Sequence, residues 1–144
     1  MKSKLSFESV SPNDKLPEVT RYITQEDIWR FAASSLDCNV VHVNPEWCKR
    51  TKVFGETTVM HGGLTSSLIM TVLINWAYPL GGKIAKLEIK LIKPVPPNST
   101  LIFGGLVTEK HPIGKGEDFV VIELYGKNQD EEKIAIGKAE VMLP

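Results

Sequence analysis

Cysteine is scarce in this chain: Cys38 and Cys48 are the only two, ten positions apart. Neither belongs to a C-x-x-C pair, so no zinc pattern is present; the two read as reduced thiols of a cytosolic protein, with a disulfide between them as the alternative. Neither sign of charge is in excess, because Lys plus Arg and Asp plus Glu number 17 each. No global field therefore steers the chain to nucleic acid or to a membrane surface. No apolar core follows the Met1-Lys2-Ser3-Lys4 start, which speaks against a signal peptide. The longest apolar run, Leu64 to Leu80, is interrupted by Thr65, Ser66, Ser67, Thr71 and Asn75, and is too polar for a membrane span. A Walker loop, GxGxxG, HExxH and GxSxG are all missing, and with them the best-marked nucleotide, metalloprotease and serine-hydrolase chemistries. Repeats, low-complexity tracts and linkers are missing too. One cytoplasmic domain over residues 1–144 is expected, with no metal, no cofactor, no nucleic acid and no membrane among its partners. The length suffices for a real core.

The elements present follow from local chemistry. Residues 1–16 hold Ser11-Pro12-Asn13-Asp14 and read as an extended lead-in with a turn. Val19 to Ile23 suits a short strand. Thr24 followed by Asp27 is a capping-box signal for a helix carrying Ile28, Phe31 and Ala32, which should fade near Ser34-Ser35. Asn44-Pro45-Glu46 starts a second short helix running to Thr51. Phe54 to Thr58 is a loop. Gly62 to Tyr78 is the main helix, about 16 residues or roughly 24 Å long. It is apolar over most of its circumference, which predicts burial, and Pro79 and Gly81-Gly82 end it.

From Lys83 onward the chain reads as strands. Lys86 to Leu91 alternates charged and apolar residues, so one face is buried and one wet. Thr100 to Thr108, Phe119 to Tyr125 and Lys133 to Leu143 follow. Gly104-Gly105 suggests a bulge or a close approach. Ala135, Gly137, Ala139, Val141 and Leu143 share one face, small enough for a helix to rest on. Short connections imply antiparallel hairpins. The expected fold class is α+β, one antiparallel sheet curled around one buried helix.

Two stretches carry candidate chemistry. Asp37 and His42 lie five residues apart in a loop-like segment, with Asn39 between them able to fix the turn through side-chain to backbone bonds. Histidine moves protons near neutral pH, and a carboxylate can orient it or share a water with it. The plainer alternative is that Asp37 caps a turn and His42 fills a half-buried gap. The second stretch is His61-Gly62-Gly63. The N–H of Gly62 or Gly63, at the positive end of the main helix, could hold a developing oxyanion; otherwise it is a plain helix entry. His61 reads as a packing or capping residue and His111 as a turn residue. Cys38 lacks a partner base and reads as structural.

These residues resemble a known family. Asp37-Cys38-Asn39-Val40-Val41-His42 resembles the G-D-x-N-P-x-H motif of the MaoC-like, (R)-specific enoyl-CoA hydratases. Met60-His61-Gly62-Gly63-Leu64-Thr65 resembles that family's I-V-H-G-M-L-T segment, and Leu91-Ile92-Lys93-Pro94-Val95 its F-x-x-P-V strand end. The likeness runs in order from about Leu16 to the C-terminus. Leu36 replaces the motif's glycine, Val40 its proline, and Asn44 a common aspartate. The first two changes alter loop stiffness and remove no reacting group.

The resemblance implies a hot-dog domain, a long central helix wrapped by a curved antiparallel sheet, that pairs as a homodimer. It implies catalytic Asp37 and His42, which activate the water added to an enoyl thioester, or removed from a 3-hydroxyacyl thioester, on CoA or acyl carrier protein. Gly62 would polarise the thioester carbonyl, with Asn39 and Gly63 beside it in substrate binding. Two other readings stand next to this one: a hot-dog thioesterase, against which the paired Asp37 and His42 argue, and a non-catalytic acyl-binding subunit of a heterodimer.

Overall fold

The computed structural model describes residues 6–144. The first five residues of the lead-in lie outside the described residues. The rest of the lead-in lies along the sheet, where the Asn13 N–H donates to Val107 O and the Leu16 N–H to Gly105 O. Strand β1 (Val19–Ile23) leads into helix α1 (Gln25–Ser35). The capping box at that junction is complete: Thr24 Oγ1 accepts from the Asp27 N–H, and Asp27 Oδ2 accepts from the Thr24 N–H at 2.9 Å. The bond from the Thr24 backbone, joined by its hydroxyl, holds the Asp27 carboxyl below the usual carboxylate range.

Two short helices follow, α2 (Val40–Val43) and α3 (Pro45–Thr51), and then α4 (Gly62–Ala77). Helix α4 has the expected 16 residues. It closes through a 3-10 turn, Tyr78–Leu80, and Gly81 at φ 89°. Helix α2 is a correction to the loop expected between residues 36 and 45. Val40-Val41-His42-Val43 carries three β-branched residues, which disfavour helix. Asn39 overrides them by capping the turn, its side-chain oxygen accepting from the Val41 N–H.

Strands β2 (Lys83–Leu91), β3 (Ser99–His111), β4 (Phe119–Lys127) and β5 (Lys133–Met142) complete one antiparallel sheet in the order β1-β3-β4-β5-β2. β3–β4 and β4–β5 are the expected hairpins. β2 and β3 are not, because β2 crosses over to pair with β5 and becomes an edge. The stretch from Ile92 to Asn98 holds Pro94, Pro96 and Pro97, and their missing donors favour an extended crossover over a tight turn. The bulge in β3 falls between Val107 and Glu109. Gly104 instead marks a close approach: a Cβ there would stand 2.4 Å from Tyr125 Oη. The Tyr125 hydroxyl lies across that space to donate to Glu18, and its pKa is pushed up to about 12 by burial and that carboxylate.

The sheet curls around α4, which rests on β1, β2, β3 and β4. On the small face expected on β5, Ala135, Ala139, Val141 and Leu143 are buried and Gly137 is half-buried, but the helix rests chiefly on the other four strands. Thr65, Ile69, Val72, Leu73 and Ala77 of α4 are buried against Leu101, Phe103, Val107, Val120 and Ile122. The helix is less enclosed than its composition suggests. A five-stranded sheet covers only one side of it, so Gly63, Ser67, Met70 and Asn75 remain exposed. No described helix is long and apolar enough to cross a membrane.

Candidate active site

The residues singled out in the sequence converge where α1 ends, α2 turns and α4 begins. Helix α1 stops at Leu36, which takes the left-handed conformation at φ 61°. Asp37 follows and stays exposed, its carboxylate Oδ1 near the Asn39 N–H at 3.4 Å. Asn39 then caps α2, and the second turn residue of that helix is followed by His42.

No residue of helix α2 is fully buried; Val41, His42 and Val43 are partly enclosed. The helix is held in place by hydrogen bonds from α1: Gln25 Nε2 donates to His42 O at 3.0 Å, and Trp29 Nε1 to Val43 O at 3.0 Å. Gln25 in turn accepts from the Thr58 hydroxyl. Gln25 and Trp29 sit at i and i+4 on α1, hence on one face. That spacing of two donors was the one sequence signal for these supports, and it is legible only once their acceptors are known.

The His42 ring is oriented by backbone. Its Nδ1 lies 2.7 Å from Val59 O. A carbonyl can only accept, so Nδ1 carries a hydrogen, and in the neutral ring Nε2 presents its lone pair. Val59 itself is fixed by its N–H to Val41 O, and Met60 by its N–H to Val95 O. The free Nε2 faces Asp37 Oδ2 at 4.0 Å. The imidazole is 14% exposed and the carboxylate 54%, so the pair sits at the mouth of the fold. At 4.0 Å the two groups do not bond directly, but one water can bond both.

The third component is the start of α4. Gly62 and Gly63 are its first two residues, and among the described residues their N–H groups meet no acceptor. They are the unpaired donors of a helix N-terminus, strengthened by its dipole. A Cβ on Gly62 would come within 2.4 Å of Leu91 Cδ1, and one on Gly63 within 3.2 Å of Phe31 Cζ. His61, at the cap position, makes no side-chain bond to the helix. Its ring packs instead, stacked on His42 with centroids 3.9 Å apart and 27° between planes.

Asp37, His42, Gly62 and Gly63 are thus brought to one place. Asn39 is there too, but its side-chain oxygen is engaged by Val41, which leaves only its amide hydrogens for a ligand. Cys38 and Cys48 are unpaired, the first exposed and the second buried. His111 lies elsewhere, stacked on Phe119 and bonded to Glu109. Asp37, His42 and His61 offer three metal-binding atoms within 4.8 Å of one another. An ion about 2 Å from both imidazoles must lie near both ring planes, and rings stacked this closely do not share such a point.

Comparison with known proteins bears on this arrangement. Residues 8–124 match the family model described as the MaoC like domain. A curated relative, the (R)-specific enoyl-CoA hydratase of Rhodospirillum rubrum, is 32% identical over 96 residues. Those residues are 64% of this chain and 65% of the relative, so the match spans less than two thirds of that protein's length. Among solved structures, the R-hydratase PhaJ1 from Pseudomonas aeruginosa in the unliganded form superposes with a TM-score of 0.85 at 26% identity, over 98% of this chain and 86% of that one. The (R)-hydratase from A. caviae involved in PHA biosynthesis superposes with a TM-score of 0.82 at 22% identity, over 95% and 99% of the two chains. The architecture is therefore the hot-dog fold.

Proposed function

The chain belongs to the MaoC-like domain family, and we propose that it is a hydro-lyase that adds water to the 2,3 double bond of an enoyl thioester, or removes it from the 3-hydroxyacyl thioester. The observation that carries this reading is the His42 imidazole, tied through Nδ1 to Val59 O so that its Nε2 looks at the Asp37 carboxylate across 4.0 Å. That is a proton-transfer pair with room for one water, beside two unpaired N–H groups.

In the hydration direction the water bonds both Asp37 and Nε2. Nε2 takes one of its protons as the oxygen bonds to C3. The π pair of the double bond moves through C2 toward the thioester oxygen. The Gly62 N–H holds the charge that develops there. The enolate then collapses, and C2 takes a proton from the Asp37–His42 pair. The water's oxygen and two hydrogens all end in the product, and the pair is reset. No redox step is needed, because the thioester itself makes C2 acidic.

The assembly we propose is a homodimer. Among the described residues β2 pairs only with β5, leaving its other edge free, and it ends at half-exposed Leu91, followed by half-exposed Ile92. Long free edges are normally paired or protected, and a second copy of β2 would continue the sheet. Light scattering at micromolar concentration should give the mass of a dimer.

The reaction is tested with crotonyl-CoA and its carrier-protein counterpart. Loss of the enoyl absorbance without release of thiol is the expected result. Release of free thiol would replace the hydro-lyase reading with the thioesterase one.

A further inference from the structure

We propose that His61 is a positioning residue, which sets both members of the Asp37–His42 pair from beneath; this rests on the hydro-lyase reading for its effect on turnover but not for its geometry. His61 is 1% exposed, among the largest fully enclosed side chains. It touches each partner in a different way. Its Nε2 lies 2.9 Å from the backbone oxygen of Asp37. The oxygen can only accept, so Nε2 carries the hydrogen. Its ring face lies on the His42 ring, centroids 3.9 Å apart, and the Phe31 ring packs against it at 4.9 Å, tilted by 56°.

Among the described residues, the buried His61 Nδ1 has no hydrogen-bond partner. A residue chosen only to fill that space would be apolar, since an unpaired buried acceptor is costly. The orphaned nitrogen is what remains when an imidazole is used for its other nitrogen and its flat face together. No shorter donor or plain aromatic ring supplies both. Asp37 sits in a segment with few other anchors: its N–H meets Ser35 Oγ at 3.3 Å, and its carboxylate is exposed. The bond from His61 is the contact that fastens the Asp37 backbone to the start of α4, and with it to the Gly62 N–H.

Two variants divide the two contacts. His61→Phe keeps a flat ring against His42 and loses the bond to Asp37. His61→Gln keeps an amide donor and loses the ring. Nitrogen-edited spectra of the histidine rings in the full chain should show His61 as the Nε2–H tautomer and His42 as the Nδ1–H tautomer. Both variants should leave the amide signals of the sheet in place and displace the His42 ring signals. With crotonyl-CoA each should lower kcat at least about tenfold with KM within about threefold, since ångström-scale misplacement can cost as much as 10²-fold. In an Asp37→Asn background the same substitutions should cost no more than about twofold, because they act through that pair.

An Nδ1–H tautomer at His61, or unmoved His42 signals in both variants, would overturn the proposal whatever the wild type catalyses. So would displaced signals with unchanged kcat in an active enzyme. Expected tautomers and displacements in a wild type inert toward enoyl thioesters would leave the positioning role standing and remove the hydro-lyase reading instead.

Discussion

The segment from Leu36 to Gly62 and the layer formed by α4 with β3 and β4 are held by different forces. The second is apolar contact: Ile69, Leu73, Leu101, Phe103, Val107, Val120 and Ile122 are all fully enclosed. The first has few such anchors, and α2 has none. It is fixed by polar bonds that end on backbone: Gln25 to His42 O, Trp29 to Val43 O, His42 to Val59 O and His61 to Asp37 O. Apolar contact tolerates small slips, whereas a hydrogen bond fixes distance and angle. A segment proposed to hold two proton-transfer groups at one spacing gains from the second kind of support, at little cost to the stability set by the first. Changes in the two regions should therefore separate activity from stability.

The largest expected effect is on the proposed reacting pair. Asp37→Asn and His42→Ala should each lower kcat by about 10²–10⁴, the usual contribution of general acid–base groups. The thermal midpoint of Asp37→Asn should stay near wild type, because Asp37 is exposed, whereas that of His42→Ala should fall modestly, because its ring is 14% exposed and stacks on His61. The double variant should be scarcely slower than either single one, as for residues acting on one water. A single variant keeping more than about a tenth of wild-type kcat would contradict the assignment.

Phe103→Ala is the converse case. Phe103 is fully enclosed on β3 and packs against Gly126, where a Cβ would meet its ring at 2.7 Å. Its loss should cost about 3–5 kcal/mol of stability, read from denaturant unfolding. The fraction still folded should keep a near-normal kcat, since no bond of the site segment ends on Phe103. A folded variant with kcat down a hundredfold would show that the two regions are coupled.

Gly62→Pro sharpens the comparison at the point where the regions meet. The main doubt about such a variant is whether proline fits the turn. His61 has φ −59° and ψ 137°, which is the conformation that a residue before proline prefers. Gly62 is the first helical position, where proline is tolerated. The added ring atoms crowd Leu91 Cδ1, the end of a half-exposed side chain that can turn aside. Folded protein is thus expected. If the Gly62 N–H holds the oxyanion, kcat should fall by about 10²–10³, or roughly 2.7–4 kcal/mol in barrier. Near-normal kcat in folded protein would move that role to Gly63. Gly62→Ala, which keeps the N–H, should raise KM more than it lowers kcat.

The two regions also differed in how far the sequence revealed them. Periodicity located α4 to within a residue, and the Thr24–Asp27 box placed the start of α1, because both signals are local. The residues proposed for the site were legible as motifs: Asp37 and His42 face each other at 4.0 Å, and His61, stacked on His42, leads directly into Gly62. Their supports were not. Val59 and Asp37 contribute carbonyl oxygens, which every residue type has, so nothing in the sequence marks them as acceptors. The stack of His61 on His42 joins residues nineteen apart and depends on how two helices meet. Helix α2 was hidden by its valines. The β2 crossover was hidden because strand alternation sets which face is wet but not which strand is the neighbour.

The smallest expected effect concerns Leu36, which stands where the family motif has glycine. Its φ of 61° is left-handed, a conformation that costs a residue with a Cβ about 1–2 kcal/mol. Its side chain is 85% exposed, so it recovers little by packing. Leu36→Gly removes that strain but adds freedom to the unfolded chain, worth about 0.5–1 kcal/mol against the variant. The balance should be a gain of roughly 0.5–1 kcal/mol in unfolding free energy. Activity should respond the other way. Leu36 directly precedes Asp37, and a leucine held in one conformation restricts the Asp37 backbone more than a glycine does. We expect the more stable variant to show kcat reduced by about twofold to fivefold, an effect well below one full misplacement of a reacting group. A variant that gained stability with kcat unchanged would show that the polar bonds alone hold Asp37, and that the leucine at this turn adds strain without adding order.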